Sequence, residues 1–267
     1  MEQPKNNLKI VADKKSARML LPNMLTLIGV CIGLTSIRFA LDGRFELAII
    51  AIMFAALIDG LDGRIARLIK GTSKVGKELD SLTDMISFGV APAFIMYFWK
   101  LDTLGRFGWL LCLVFVICVA LRLARFNINS NHEPSWRDNF FEGVPSPAGG
   151  ILVLTPLIIS LSGFDFFQLN YDIIVPIFFV TTSFLLISKF PSYSFKKIVI
   201  RRRTTIFLLF GIVLFFGLLL IYTFNVIAIS AIIYLLLLPI SYVHYQKIKN
   251  KHEKDKIQDE DDLEDVL

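Results

Sequence analysis

A series of apolar runs long enough to cross a bilayer constrains this chain most, because in hydrocarbon every backbone N–H and C=O must find its partner within the protein. Predominantly apolar runs cover residues 19–41, 46–68, 82–99, 107–128, 147–163, 172–188, 205–222 and 225–243. About 20 such residues span a hydrocarbon core of ~30 Å. With 55% hydrophobic residues in 267 and a mean hydropathy of +0.62, the chain carries more apolar surface than one soluble core could hide. The pattern predicts an all-α, polytopic membrane bundle of eight helices. Six or seven remain if the third and fifth runs, broken by Gly89, Pro92, Pro147 and Pro156, do not cross.

Charge predicts the orientation. If both termini are cytoplasmic, 24 of the 28 Lys and Arg lie on the inner side and only Arg38, Arg44, Lys100 and Arg106 lie near the outer face, as the positive-inside rule requires. The net charge of +5 then belongs to topology and anionic headgroups, including the loop with Lys196, Lys197, Arg201, Arg202 and Arg203. No soluble basic domain is left to bind nucleic acid. Cys31, Cys112 and Cys118 fall inside spans without a CxxC pattern, which excludes a disulfide scaffold. His132, His244 and His252 have no metal-ligand spacing. The first run is too long for a signal-peptide core and lacks a small-x-small cleavage site, so it is expected to stay as a helix. The chain divides into a basic, cytoplasmic or interfacial segment (1–18), a transmembrane domain (19–246) and a charged tail (247–267) expected to be disordered.

The informative stretch runs from Asp59 to Asp84. On a helix, spacings of three, four and seven share a face, so Asp59, Asp62, Gly63 and Ala66 form one stripe, and Gly76, Asp80, Asp84 and Ser87 form another. Two antiparallel helices can thus aim four carboxylates at one point. Each ionised carboxylate in or near lipid costs at least ~2.5 kcal/mol on insertion scales, and like charges repel further, so something positive must bind. An all-oxygen set without His or Cys selects Mg²⁺ or Mn²⁺, one ion or two, over zinc. Gly63, Ala66 and Gly76 leave room for a ligand beside the backbone. Two other readings of the residues are a ring of carboxylates paired with Arg64, Arg67 and Lys77, and the ion pathway of a transporter.

The string Asp59-x-x-Asp62-Gly63-x-x-Ala66-Arg67-(x8)-Gly76-(x3)-Asp80-(x3)-Asp84 resembles the signature of the CDP-alcohol phosphatidyltransferase family at every defined position. Eight fixed positions make that a specific match. It covers the chain as far as the fifth run; the later runs match only in being apolar. Asp80-Ser-Leu-Thr-Asp84-Met-Ile-Ser87-Phe88-Gly89-Val-Ala-Pro92-Ala, Arg122-Leu-Ala-Arg125-Phe126-Asn127 and Gly143-Val-Pro145-Ser-Pro147-Ala are most similar to the family's serine-using branch. Ser81 and Met85 stand where the glycerophosphate-using branch has Pro and Lys, and the choline-using branch continues differently after the fourth Asp.

The resemblance implies a membrane enzyme that moves the phosphatidyl group of CDP-diacylglycerol to L-serine and releases CMP, with glycerol 3-phosphate, inositol phosphate or choline as alternative acceptors. It implies that Asp59, Asp62 and Asp80 hold Mg²⁺ or Mn²⁺, that Asp84 joins them and also takes the proton of the attacking hydroxyl, and that Arg67 helps neutralise CMP. Asn23, Thr26, Asp62, Gly63, Ala66, Arg67 and Gly76 are expected to contact the CDP-lipid. Asn23 reads equally well as the cap that opens the first helix after Pro22. Arg122 and Arg125 share a helix face and are expected, with Asn127, to meet the acceptor's carboxylate, unless they are only positive-inside anchors. The expected setting is the plasma membrane of a prokaryote with the site facing the cytoplasm. A homodimer is implied by resemblance alone.

Overall fold

The structure is a computed structural model and describes residues 14–69, 73–129, 140–163, 170–193 and 202–264. Two helices, α1 (Lys14–Leu41) and α2 (Phe45–Leu68), are joined by a tight turn and pack along their length. Next comes α3 (Lys74–Asp84), a π-helical segment (Met85–Val90) and α4 (Ala91–Trp99), which together make one continuous rod. A short 3₁₀ turn (Leu101–Leu104) leads into α5 (Arg106–Asn129), α6 (Ser146–Leu161), α7 (Tyr171–Ile187), α8 (Arg202–Ile221) and α9 (Thr223–Glu264). A three-residue antiparallel pairing of β1 (Phe140–Glu142) with β2 (Pro191–Tyr193) ties the approach to α6 to the exit from α7. The fold is therefore a helical membrane bundle.

Among the described residues, 20–41, 74–99, 106–128 and 223–250 are each long and apolar enough to cross a membrane, and α6, α7 and α8 are shorter apolar helices. α2 has the length, but Glu46, Asp59 and Asp62 interrupt its apolar run. Pro156 and Pro176 do not end α6 or α7; neighbouring helices can satisfy the carbonyl that proline frees.

The core is a cluster of fully buried side chains, among them Ile49, Ile52, Phe88, Ile95, Phe115, Leu154, Leu157 and Phe179, where α2, the α3–α4 rod, α5, α6 and α7 meet. Phe115 and Phe179 meet edge-on at 5.5 Å. α8 packs on α9 and exposes Phe207, Phe210 and Leu220, surface that only lipid or another chain can cover. The ion pair of Lys100 with Asp172 (3.0 Å) joins the end of α4 to the start of α7. The contact of Arg125 with the end of α7 joins the opposite ends of α5 and α7. These ties fit the up-and-down threading that the charge pattern implies.

Three sequence expectations change. Asn23 does not cap a helix: α1 runs from Lys14 through Pro22 to Leu41, and Asn23 lies inside it. Residues 14–18 therefore belong to the first helix; residues 1–13 lie outside the described residues, as do Lys196, Lys197 and Arg201. The third span begins at Lys74, so the helix bearing Asp80 and Asp84 and the span that follows are a single rod. The charged tail is helical through Glu264, because the stretch after Pro239 is free of Gly and Pro and rich in Lys, Glu and Gln, which favour helix without needing a core.

Candidate active site

Ser73 caps α3, its hydroxyl accepting from the Gly76 amide at 2.9 Å, and so fixes where this helix starts relative to α1. A Cβ on Gly76 would stand 2.9 Å from Asn23 Oδ1 and 3.1 Å from Ser73 Oγ. The missing side chain at Gly76 thus admits Asn23 rather than leaving open room. Around Gly63 nothing lies within 4 Å of such a Cβ, so that face of α2 is open to a ligand. Ala66 is half-buried one turn further on, and Arg67 is exposed with Nε donating to the Gly63 carbonyl at 3.0 Å.

The α2 and α3 stripes converge. Asp59, Asp62 and Asp80 each offer one carboxylate oxygen, all within 4.8 Å of one another. Oxygens bound to one Mg²⁺ at ~2.1 Å lie at most ~4.2 Å apart, so the triangle fits a single hard cation after a small side-chain adjustment. Asp62 is buried, and Thr26 Oγ1 donates to its Oδ2 at 2.6 Å while also reaching the Pro22 carbonyl at 3.0 Å. Thr26 therefore orients one carboxylate of the triangle from α1.

Asp84 lies outside the triangle. Its carboxyl is beside that of Asp59, and its Oδ1 is buried with no hydrogen-bond partner. Among the described residues none of the four carboxylates forms an ion pair, so the reading as a ring paired with Arg64, Arg67 and Lys77 does not hold there.

The π-helical segment follows Asp84 directly. Such segments occur often at functional sites, because the wider turn resets which side chains face inward. Here it is clamped by close backbone approaches: a Cβ on Gly33 of α1 would lie 2.5 Å from Ser87 Oγ, and one on Gly150 of α6 would lie 3.0 Å from the Phe88 carbonyl oxygen. Ser87 Oγ reaches the Gly29 carbonyl at 3.4 Å.

The three residues expected to meet the acceptor have different partners. Arg122 is 7% exposed, donates from Nη1 to Ser146 Oγ at 2.7 Å and lies within electrostatic reach of Asp84 and Asp59. Arg125 instead donates to the carbonyls of Ile187 (2.7 Å), Leu186 (3.2 Å) and Ser188 (3.5 Å), closing the C-terminus of α7, where a cation also meets the negative end of the helix dipole. Asn127 Nδ2 donates to Ser81 Oγ at 2.9 Å, and the Asn127 carbonyl accepts from Lys77 Nζ at 3.3 Å. Asn127 thereby ties α5 to the α3 turn between Asp80 and Asp84. Two neighbours of Arg122 were not singled out from sequence: Ser146, at the start of α6, and Tyr234 of α9. Ser146 lies in the Gly-Val-Pro-Ser-Pro-Ala motif, where the sequence assigns it no role, and Tyr234 lies in an apolar run that carries no signal for it.

Comparison with known proteins places this arrangement. The family model described as CDP-alcohol phosphatidyltransferase matches residues 19–185. A Mycobacterium leprae protein named CDP-diacylglycerol–serine O-phosphatidyltransferase is 43% identical over 176 residues, 64% of this chain and 57% of that protein. Proteins of the same name from Helicobacter pylori (38% over 179 residues, 67% of this chain and 74% of that one) and Bacillus subtilis (34% over 177 residues, 66% and 92%) are also similar. The match thus spans little more than half the length of the mycobacterial relative. The chain belongs to the CDP-alcohol phosphatidyltransferase family.

Proposed function

We propose that the protein transfers the phosphatidyl group of CDP-diacylglycerol to L-serine, giving phosphatidylserine and CMP. The observation that carries the reading is the carboxylate triangle of Asp59, Asp62 and Asp80, which has no ion-pair partner among the described residues and lies beside the buried Asp84 and Arg122.

Asp59, Asp62 and Asp80 would hold a divalent cation, Mg²⁺ or Mn²⁺, as all-oxygen ligation favours. When bound, it neutralises the pyrophosphate and makes the phosphorus electrophilic. The open face at Gly63 and Ala66 receives the diphosphate, with Thr26 and Asn23 lining the α1 side and Arg67 near the nucleotide. Serine's hydroxyl oxygen forms the new bond to the phosphorus that bears diacylglycerol, and the bond to the CMP oxygen breaks. Asp84 takes the hydroxyl proton, for which its unpartnered Oδ1 is the available acceptor. Arg122, held by Ser146 and facing Asp84, meets the serine carboxylate. Arg125 and Asn127 position α7 and α3 and do not touch substrate. The proposal extends to a site facing the cytoplasm, on the positive-inside pattern, and to a homodimer, on family resemblance alone.

The test is a head-to-head assay of purified protein with CDP-diacylglycerol and L-serine, glycerol 3-phosphate, inositol phosphate or choline. Phosphatidylserine with stoichiometric CMP is the expected product. Preference for another acceptor would overturn the serine assignment, and failure to release or bind CMP with any of them would overturn phosphatidyl transfer itself.

A further inference from the structure

We propose that the cavity enclosed by α2, α6, α8 and α9 holds one acyl chain of the CDP-lipid, and that the Tyr234 hydroxyl at its polar end donates to that chain's ester carbonyl. The inference rests on the phosphatidyl-transfer reading.

The cavity has a volume of about 580 Å³. Its lining is apolar apart from Thr223, Ser230 and Tyr234. Two of those three are neutralised by their own helix: Thr223 Oγ1 donates to the Leu219 carbonyl at 2.8 Å, and Ser230 Oγ to the Val226 carbonyl at 2.7 Å. Tyr234 is different. Its hydroxyl is buried beside Ser192 and Arg122 yet makes no hydrogen bond of good geometry among the described residues. A buried donor left without a partner costs about 1–3 kcal/mol, so a site that keeps one is suited to a ligand acceptor.

Position favours the substrate's own tail over an unrelated lipid. One end of the cavity lies at the depth of the site: Leu57 is two residues before Asp59 and Ala148 two after Ser146 along their helices, and Tyr234 is within electrostatic reach of Arg122. From Tyr234 to Thr223 is three turns of α9, ~16 Å at 1.5 Å per residue, about half of the ~30 Å hydrocarbon core and so about the depth of one leaflet. Phe54, Phe216 and Leu220 on its rim are exposed, which leaves a side entrance from the bilayer. Two of the four walls, α8 and α9, lie beyond the residues that match the family model, so they would add chain selection to a shared headgroup site.

The test compares CDP-diacylglycerols with two long or two short acyl chains in mixed micelles, using wild type, Ala231→Phe and Met53→Trp, which narrow the cavity from α9 and α2. The ratio of kcat/KM for long over short chains should fall by about tenfold in both variants through the KM of the long lipid. Tyr234→Phe, which removes only a hydroxyl, should abolish the wild-type preference for ester-linked over ether-linked CDP-lipid. An unchanged chain-length ratio in variants with wild-type thermal stability, or equal losses with both lipids, would overturn the cavity assignment. Retained ester preference in Tyr234→Phe would overturn the hydroxyl contact. Lack of turnover by wild type with either lipid would instead count against the phosphatidyl-transfer reading.

Discussion

At the scale of single residues, the two arginines on one face of α5 have different partners, and only Arg122 is proposed to meet substrate. Arg122 is buried against Ser146 beside the carboxylates, whereas Arg125 closes the carbonyl end of α7. Arg122→Ala should therefore raise the serine KM by about tenfold or more, with little change in the KM for CDP-diacylglycerol. Arg125→Ala should lower thermal stability, because it leaves two or three carbonyls without their charged donor, at about 1–3 kcal/mol in total. Steady-state kinetics with each substrate varied, together with melting curves, check both. The carboxylates divide in the same way. Asp84→Asn keeps shape and should cut kcat by about 10²-fold while CMP binding survives; Asp62→Asn, which removes the carboxylate charge but leaves Thr26 an acceptor, should weaken metal and CMP binding together. Rescue of Asp84→Asn to near wild-type turnover by saturating metal would mean that Asp84 is only a ligand.

The element scale shows what could be read in the sequence and what could not. The carboxylate stripes were legible because helical periodicity alone puts Asp59 with Asp62 and Asp80 with Asp84, and the ends of α2, α5 and α7 fall near the limits of their apolar runs. The π segment was not legible, because no local pattern marks it and the close approaches on residues 87 and 88 come from distant glycines of α1 and α6. The partner of Arg125 lies 62 residues away in the chain, which no local pattern reports. Asn23 read as a cap because Pro-Asn commonly opens a helix, yet here α1 extends past it on both sides. A matched pair of variants tests the close approach. Gly150→Val should destabilise by about 1–3 kcal/mol and distort the rod that carries Asp84, since its Cβ meets backbone. Gly63→Ala meets nothing and should hold or gain up to ~1 kcal/mol of stability through helix propensity. Its KM for CDP-diacylglycerol should nevertheless rise, because the open face is where the diphosphate is proposed to lie. Melting temperature and lipid KM, measured on both variants, separate the two effects.

At the scale of the whole molecule, the bundle does two jobs with different parts of the chain. Residues 19–185, which match the family, bring the carboxylates together, and α8 and α9 add apolar surface alongside. The end of α9 does neither: Lys251–Glu264 has Ile257 and Leu263 as its only apolar residues and so no face to bury. Removing residues 251–267 should leave melting temperature and turnover within error of the full chain. The central claim, that clustered carboxylates work by holding a divalent cation against the CDP-lipid, is tested most directly by metal titration of serine-dependent CMP release in chelator-stripped protein. No release is expected in excess EDTA, with full recovery on adding Mg²⁺ or Mn²⁺ and a right-shifted recovery curve in Asp62→Asn. Wild-type turnover in excess EDTA would contradict the account.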